Sequence, residues 1–350
     1  MKRFNIKSIL FFGVVLVLSS CTKEEEKPEA KNNPKANALE VSQGAAGTVV
    51  SITGSDLGGI KTIMFEKDSV YAPFNPVFNN DKAVVFRVPD DASGGSQNIV
   101  LTNTLNKQIT IQYTVIALPT VTAVSNYNFV NDTEITITGN NLNDVVSVGL
   151  TGTTATATIV SKEKRSLVVK MPATDVNSAT LTITNSTGPI VTTQSFVNLD
   201  KAYKIFTEGY NNGFENASWG PASVSTEFAK TGTTSFKAGY NKGQWSADGF
   251  ANWNGIASMP EYKFMSFWVK GASLPYTLYL VGDQREGGYG NSDTSVPLQI
   301  PANVWTYFKI PMETLQLWKK GGPFKQVGFF IKGPDAQDEA FYFDDVIFIK

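Results

Sequence analysis

The stretch Val49-Val50-Ser51-Ile52-Thr53-Gly54-Ser55-Asp56-Leu57 returns 85 positions later as Glu134-Ile135-Thr136-Ile137-Thr138-Gly139-Asn140-Asn141-Leu142, without a gap. The match continues outward. Ala83-Val84-Val85-Phe86-Arg87-Val88-Pro89 pairs with Ser166-Leu167-Val168-Val169-Lys170-Met171-Pro172, and Ile99-Val100-Leu101-Thr102-Asn103 with Leu181-Thr182-Ile183-Thr184-Asn185. Within these runs apolar residues alternate with Thr, Ser or charge, and β-branched side chains dominate. Gly, Asn and Asp gather between them, which is the pattern of half-buried strands joined by tight turns. A repeat of this length, with no helical period, predicts two immunoglobulin-like β-sandwiches in tandem, over 39–117 and 118–199, with Pro119 at the joint.

The Ile-Thr-Gly-x-x-Leu signature, followed by a strand ending in Pro and then a Thr-Asn strand, resembles the IPT/TIG family. The resemblance implies rigid spacers. Neither repeat holds a tryptophan or an acidic cluster with metal-ligand spacing, in keeping with that role. The loop Tyr71-Ala72-Pro73-Phe74-Asn75-Pro76-Val77-Phe78 is the exception, readable as a packed loop or as a second aromatic contact surface.

From residue 200 the composition turns aromatic and glycine-rich, and all six tryptophans fall beyond it. Short alternating runs with regular turn signals predict a β-sandwich or jelly roll over 200–350. Trp268, in a strand with Met265, Phe267 and Val269, and Trp305, in a strand with Phe308 and Ile310, read as structural. Trp318 reads as part of a local cluster with Leu315 and Leu317. Trp219, Trp245 and Trp253 stand beside Gly, Pro and Asn in turn-like context. A flat indole stacks on the C–H face of a sugar ring while neighbouring polar groups bond its hydroxyls, so these three are candidates for a carbohydrate platform. In the 283–291 loop, Tyr289 is expected to add a stack and Arg285 to donate to hydroxyls.

Thr231–Lys237, Met265–Gly271, Trp305 with Ile310-Pro311, and Phe341–Val346 resemble landmarks of carbohydrate-binding jelly-roll modules. Such modules carry a structural calcium between their first and last strands. The resemblance implies that Glu208 shares a calcium ion with Asp344 or Asp345, the alternative being turn capping or exposure.

Residues 1–21 read as a lipoprotein signal peptide. Lys2, Arg3 and Lys7 precede the apolar run Ile9–Leu18, which is too short to span a bilayer. Leu18-Ser19-Ser20-Cys21 resembles a bacterial lipobox and contains the one cysteine of the chain, so lipidation is expected at Cys21 and no disulfide can form within the chain. Thr22-Lys23-Glu24-Glu25-Glu26-Lys27 resembles the export tag that sends Bacteroidetes lipoproteins to the cell surface. Residues 22–38, rich in Lys, Glu and Pro, read as a disordered tether reaching up to roughly 50 Å in extended form.

A net charge of −1 without a basic tract argues against nucleic-acid binding, and the absence of histidine removes the commonest general base and zinc ligand. Glycosidases work with paired carboxylates, and no sequence pattern pairs any two here. The whole architecture resembles the surface glycan-binding protein B lipoproteins of Bacteroidetes polysaccharide-utilisation systems. That resemblance implies a non-catalytic outer-membrane protein that captures a polysaccharide of β-glucan or xyloglucan type beside a glycan importer and a surface glycoside hydrolase. The competing readings are an adhesin or spacer, and a small lyase or hydrolase.

Overall fold

The structure, a computed structural model, describes residues 28–290, 293–332 and 336–350; Cys21, the signal peptide and the Thr22–Lys27 run lie outside the described residues. The chain forms two compact units, one up to Ala92 together with Ser96–Val115, the other holding the remainder.

The first unit is a β-sandwich. Val49–Ser55 lies between Lys35–Ala36 and Ala83–Arg87 in one sheet. The other sheet runs Gln43–Gly44, Gln108–Val115, Gly95–Asn103, Ile60–Phe65, Val70–Tyr71. Period-two alternation sends Val50, Ile52, Val84 and Phe86 inward to meet Phe65, Leu101 and Tyr113.

The repeated signature has a local cause. Leu57 and Leu142 are fully buried, and Asp56 and Asn141 turn the chain at φ 59° and 56° in the left-handed region that Asp and Asn tolerate. Gly54 and Gly139 are held to glycine by close approach: a Cβ would lie 2.0 Å from the Lys35 carbonyl oxygen in one and 1.7 Å from that of Thr120 in the other.

Lys35 and Thr120 are themselves 85 residues apart, the period of the repeat. Lys35–Ala36 is therefore the opening strand of the first sandwich, pairing with Gly54 and Ser55. The tether expected to run through residue 38 is shorter than that. Asn103 Nδ2 donates to the Lys31 carbonyl, as Asn185 Nδ2 donates to that of Ala117. This edge strand binds through backbone groups, so its sequence carries no apolar alternation to announce it.

In the second unit the second sandwich has a seven-stranded sheet from Gly188–Val191 to Thr120–Val124 and a small sheet of Asn128–Phe129, Phe196–Asn198 and Ser178–Ala179. The C-terminal domain packs two sheets face to face. One carries Ala222–Ser225, Ser235–Tyr240, Glu339–Ile349, Phe264–Lys270 and Trp305–Pro311, with Tyr203–Phe206 also on Glu339–Ile349. The other runs Glu215–Asn216, Trp245–Ile256, Phe324–Lys332, Tyr276–Gly282, Pro297–Ile300. Phenylalanines fill the space between, with Phe329 stacked on Phe343 at 3.9 Å between centroids.

The second sandwich joins this domain through Trp268. Tyr127 stacks on its ring at 5.8 Å and 5°, its Nε1 donates to Asn126 Oδ1, and Lys230 Nζ lies 4.2 Å from its centroid. Asn128 Nδ2 adds a bond to Asp345 Oδ2 at 2.9 Å.

Replacing Gly139 with Ala should force the Thr120–Val124 strand away and cost about 1–3 kcal/mol, the range for overpacking. Urea unfolding read from the second unit checks this; an unchanged midpoint would contradict the close-approach explanation.

Candidate functional site

The Trp245–Ile256 strand alternates so that Phe250 enters the core, which leaves Trp245, Ala247, Gly249 and Ala251 on the outer face. Its neighbours follow the same rule. Phe329 points in and Phe330 out; Leu278 and Leu280 point in, Tyr279 and Val281 out. Register then aligns Ala247, Phe330, Tyr279 and Pro297 as one row across the sheet.

On this floor sit three exposed indoles. Trp245 stacks on Phe330 at 5.1 Å and 21°, and its ring remains 60% exposed. Trp219 is fixed by its backbone N–H to the Ala247 carbonyl and stands edge-on to Tyr289 at 6.1 Å, 59% exposed. Its indole lies so close over Gly290 that a Cβ there would be 2.0 Å from Cη2, at a φ of 74° that already favours glycine. Trp253, 54% exposed, donates from Nε1 to Glu215 Oε1 at 2.5 Å. Glu215 is the register partner of outward-facing Ala251, so its bond to the indole, and not alternation through the register shift after Ala251, brings Trp253 to the outer side. Trp245 opens the strand and Trp253 sits in the irregularity between Ala251 and Ile256, where the register shifts, rather than in the turns the sequence suggested; eight steps of chain separate them by at most roughly 26 Å.

Of the remaining tryptophans, Trp268 packs at the junction and Trp318 packs inward, while Trp305 is half-buried at the start of the Trp305–Pro311 edge strand. Trp268 is 5% exposed, and Trp318 donates to the Ile256 carbonyl while packing on Phe324 and Phe348. Leu315 and Leu317 belong to the main core, not to a separate cluster under a loop.

Two expected contact residues have other work. Arg285 is 2% exposed; its Nε meets Asp293 Oδ2 at 3.0 Å, Nη2 donates to Ser295 Oγ, and Nη1 donates to the Leu315 carbonyl. It braces the loop from within and presents no donor to a ligand. Tyr289 donates its hydroxyl to the Ala217 carbonyl and packs with Ala247, Val281 and Phe330, so it supports Trp219 from below. Phe330 and Tyr279 were not singled out from sequence. The doublet Phe329-Phe330 carried the signal, since alternation must turn one of the two outward.

The three carboxylates considered for calcium act as caps. Glu208 Oε2 accepts from Thr233 N, Thr233 Oγ1 and Thr234 N; Asp344 Oδ2 accepts from Lys230 N and Thr231 N; Asp345 Oδ2 accepts from Asn128 Nδ2 and Thr231 Oγ1. Hydrogen-bond donors converge on them, whereas calcium needs six to eight free oxygens. Among the described residues no three His, Cys, Asp or Glu side chains gather to hold a metal. The set does not fit a calcium cage.

No protein-family model matches the chain, and no curated protein matches its sequence. Solved structures do. A surface glycan-binding protein from Prevotella bryantii superposes with a TM-score of 0.54 at 16% identity, covering 91% of this chain and 99% of that one. The chain shares that protein's fold. Weaker similarity extends to a glycan-binding protein B from a xyloglucan utilization locus of Bacteroides uniformis, with a TM-score of 0.44, 17% identity, and coverage of 91% and 100%. A mixed-linkage glucan counterpart from Bacteroides ovatus follows at a TM-score of 0.33, 13% identity, and coverage of 93% and 77%.

Beneath Trp219 lies Asp248, fully buried, with Oδ1 accepting from Gly220 N at 2.8 Å and Ser246 Oγ at 3.1 Å. Among the described residues its Oδ2 finds no partner. Burial pushes this carboxyl up from 3.8 to about 6, against the pull of those donors. Because the folded value is the higher, the cost of ionising it inside the fold is absent below the unfolded pKa and grows as pH rises through about 6. Burial and the neighbouring Asp345 push Asp344 the same way, to about 7. Thermal unfolding should therefore show a higher midpoint at pH 5 than at pH 7.5. Asp248→Asn should be the more stable protein at pH 7.5 and should flatten part of that slope, by an upper bound of about 3 kcal/mol. Parallel pH profiles for the two proteins would contradict this.

Proposed function

We propose that the chain is a non-catalytic, lipid-anchored protein of the cell surface that captures a polysaccharide on the outer face of its C-terminal sheet. One observation carries the reading: three tryptophans, more than half exposed, stand on a single sheet face and are each held by a packed ring or a hydrogen bond. An open row of indoles suits a long chain entering and leaving from the side. The fold shared with the Prevotella bryantii protein supports the same class of ligand. The ligand in this reading is a polysaccharide of β-glucan or xyloglucan type, and the lipobox at Cys21 supports a surface anchor. A neighbouring hydrolase and importer would use the captured chain.

The local carboxylates also favour binding over cleavage. Asp248 is sealed beneath the face, and Glu215 is engaged by the Trp253 indole. A shallow platform desolvates little area, so the dissociation constant should fall on the order of 10–1,000 μM.

Affinity electrophoresis of residues 28–350 through gels of xyloglucan, mixed-linkage glucan, laminarin, mannan and pectin tests the proposal. One glycan should retard the protein, and Trp219→Ala, Trp245→Ala or Trp253→Ala should abolish or strongly reduce the effect while the fold persists. Migration identical to the blank in every gel would favour the adhesin reading, and release of reducing ends would favour an enzyme.

A further inference from the structure

The 71–78 loop of the first unit is not packed away. Tyr71 is 61% exposed, Val77 72% and Phe78 60%, on a rigid frame. Tyr71 belongs to an edge strand opposite Met64, and Val77 and Phe78 sit on a 3-10 turn whose Asn75 side chain accepts from Val77 N. Beside them a groove of about 690 Å³ is lined by Val49, Pro73, Phe74, Phe78 and Phe86. Its two polar side chains are already engaged, Asn75 accepting from Val77 N and Arg87 donating to the Gly47 carbonyl. A sugar would find few bonding partners there. Contiguous exposed apolar surface of this kind marks a contact with lipid or protein.

The entry point of the chain decides between them. Pro28 and Pro76, the first residue of the turn, line one depression of about 450 Å³, with Leu105, 48% exposed, on the same rim. The apolar loop and the start of the folded chain therefore share one end of the domain. Only Thr22–Lys27 separates Pro28 from Cys21, and seven steps of chain reach at most about 25 Å. An exposed tyrosine in the same loop as exposed Phe and Val suits the boundary between headgroups and acyl chains.

We infer that the Tyr71–Phe78 loop of the first sandwich is a membrane-contact surface, resting on the lipid leaflet into which Cys21 is anchored. The inference rests on the lipid-anchor reading of Cys21. Under it the first sandwich lies against the membrane instead of standing off on a long tether.

The test uses the mature, acylated chain carrying Val77→Cys labelled with an environment-sensitive fluorophore, Cys21 being blocked by lipid. A second protein carries the label at Val146→Cys, an exposed position of the second sandwich at 64% against 72% for Val77. Both are reconstituted in phosphatidylethanolamine/phosphatidylglycerol vesicles containing a nitroxide lipid. The Val77 probe should be blue-shifted and quenched several-fold more than the Val146 probe, and Phe78→Ser with Tyr71→Ser should reduce the difference. Equal quenching in protein that floats with the vesicles overturns the contact and leaves the anchor standing. If that probe is nevertheless shielded from aqueous iodide on whole cells, the surface belongs to a protein partner. If the mature chain purified from cells carries no acyl group at Cys21 and does not float with the vesicles, both readings are overturned.

Discussion

Everything at the candidate site depends on the two-residue alternation of one sheet whose inner face is committed to a phenylalanine core. Phe250, Leu280 and Phe329 must face the opposing sheet, so Trp245, Tyr279 and Phe330 have only the outer face left. Leaving large rings in water is unfavourable, at about 25 cal/mol for each Å² of apolar surface. The fold limits that cost by giving each indole a support: Phe330 under Trp245, Tyr289 against Trp219, and Glu215 bonded to Trp253. What remains exposed is rigid, and rigid surface loses little entropy when a sugar chain settles on it.

The same economy governs the joint between the second sandwich and the C-terminal domain. Trp268 reads in sequence as an ordinary strand residue, yet its ring is the hub of the joint, between Tyr127 and Lys230 with its N–H on Asn126. Asp344 and Asp345, beside it, accept bonds from the 230–231 backbone and from Asn128. These contacts make the second sandwich and the C-terminal domain one compact unit, which fixes the direction of the indole-bearing face relative to that sandwich.

Much of the fold was legible because repetition and alternation are properties of sequence. The Ile-Thr-Gly-x-x-Leu pair falls on matching strands of two β-sandwiches, and three of its positions have a physical reason: a buried Leu, a left-handed Asp or Asn, and a Gly pressed on a carbonyl. The Lys35–Ala36 strand escaped because it pairs only through its backbone, although the repeat's period pointed to it. The Trp245–Ile256 strand escaped because Gly, Asp and Asn interrupt it and disguise it as turns. Arg285 was misread for a related reason. A charged residue in a polar loop looks available, and only three dimensions show Asp293, Ser295 and Leu315 closing around it.

The central claim, carried over from the proposed function, is that Trp219, Trp245 and Trp253 meet a glycan while Trp268 and Trp318 hold the fold together and half-buried Trp305 takes no part. The six indole N–H resonances of nitrogen-labelled protein report on that division directly. Titration with β-glucan and xyloglucan oligosaccharides should shift the signals of Trp219, Trp245 and Trp253 and leave those of Trp268, Trp305 and Trp318 in place. Shifts confined to the second group, or none with any glycan, would contradict the account.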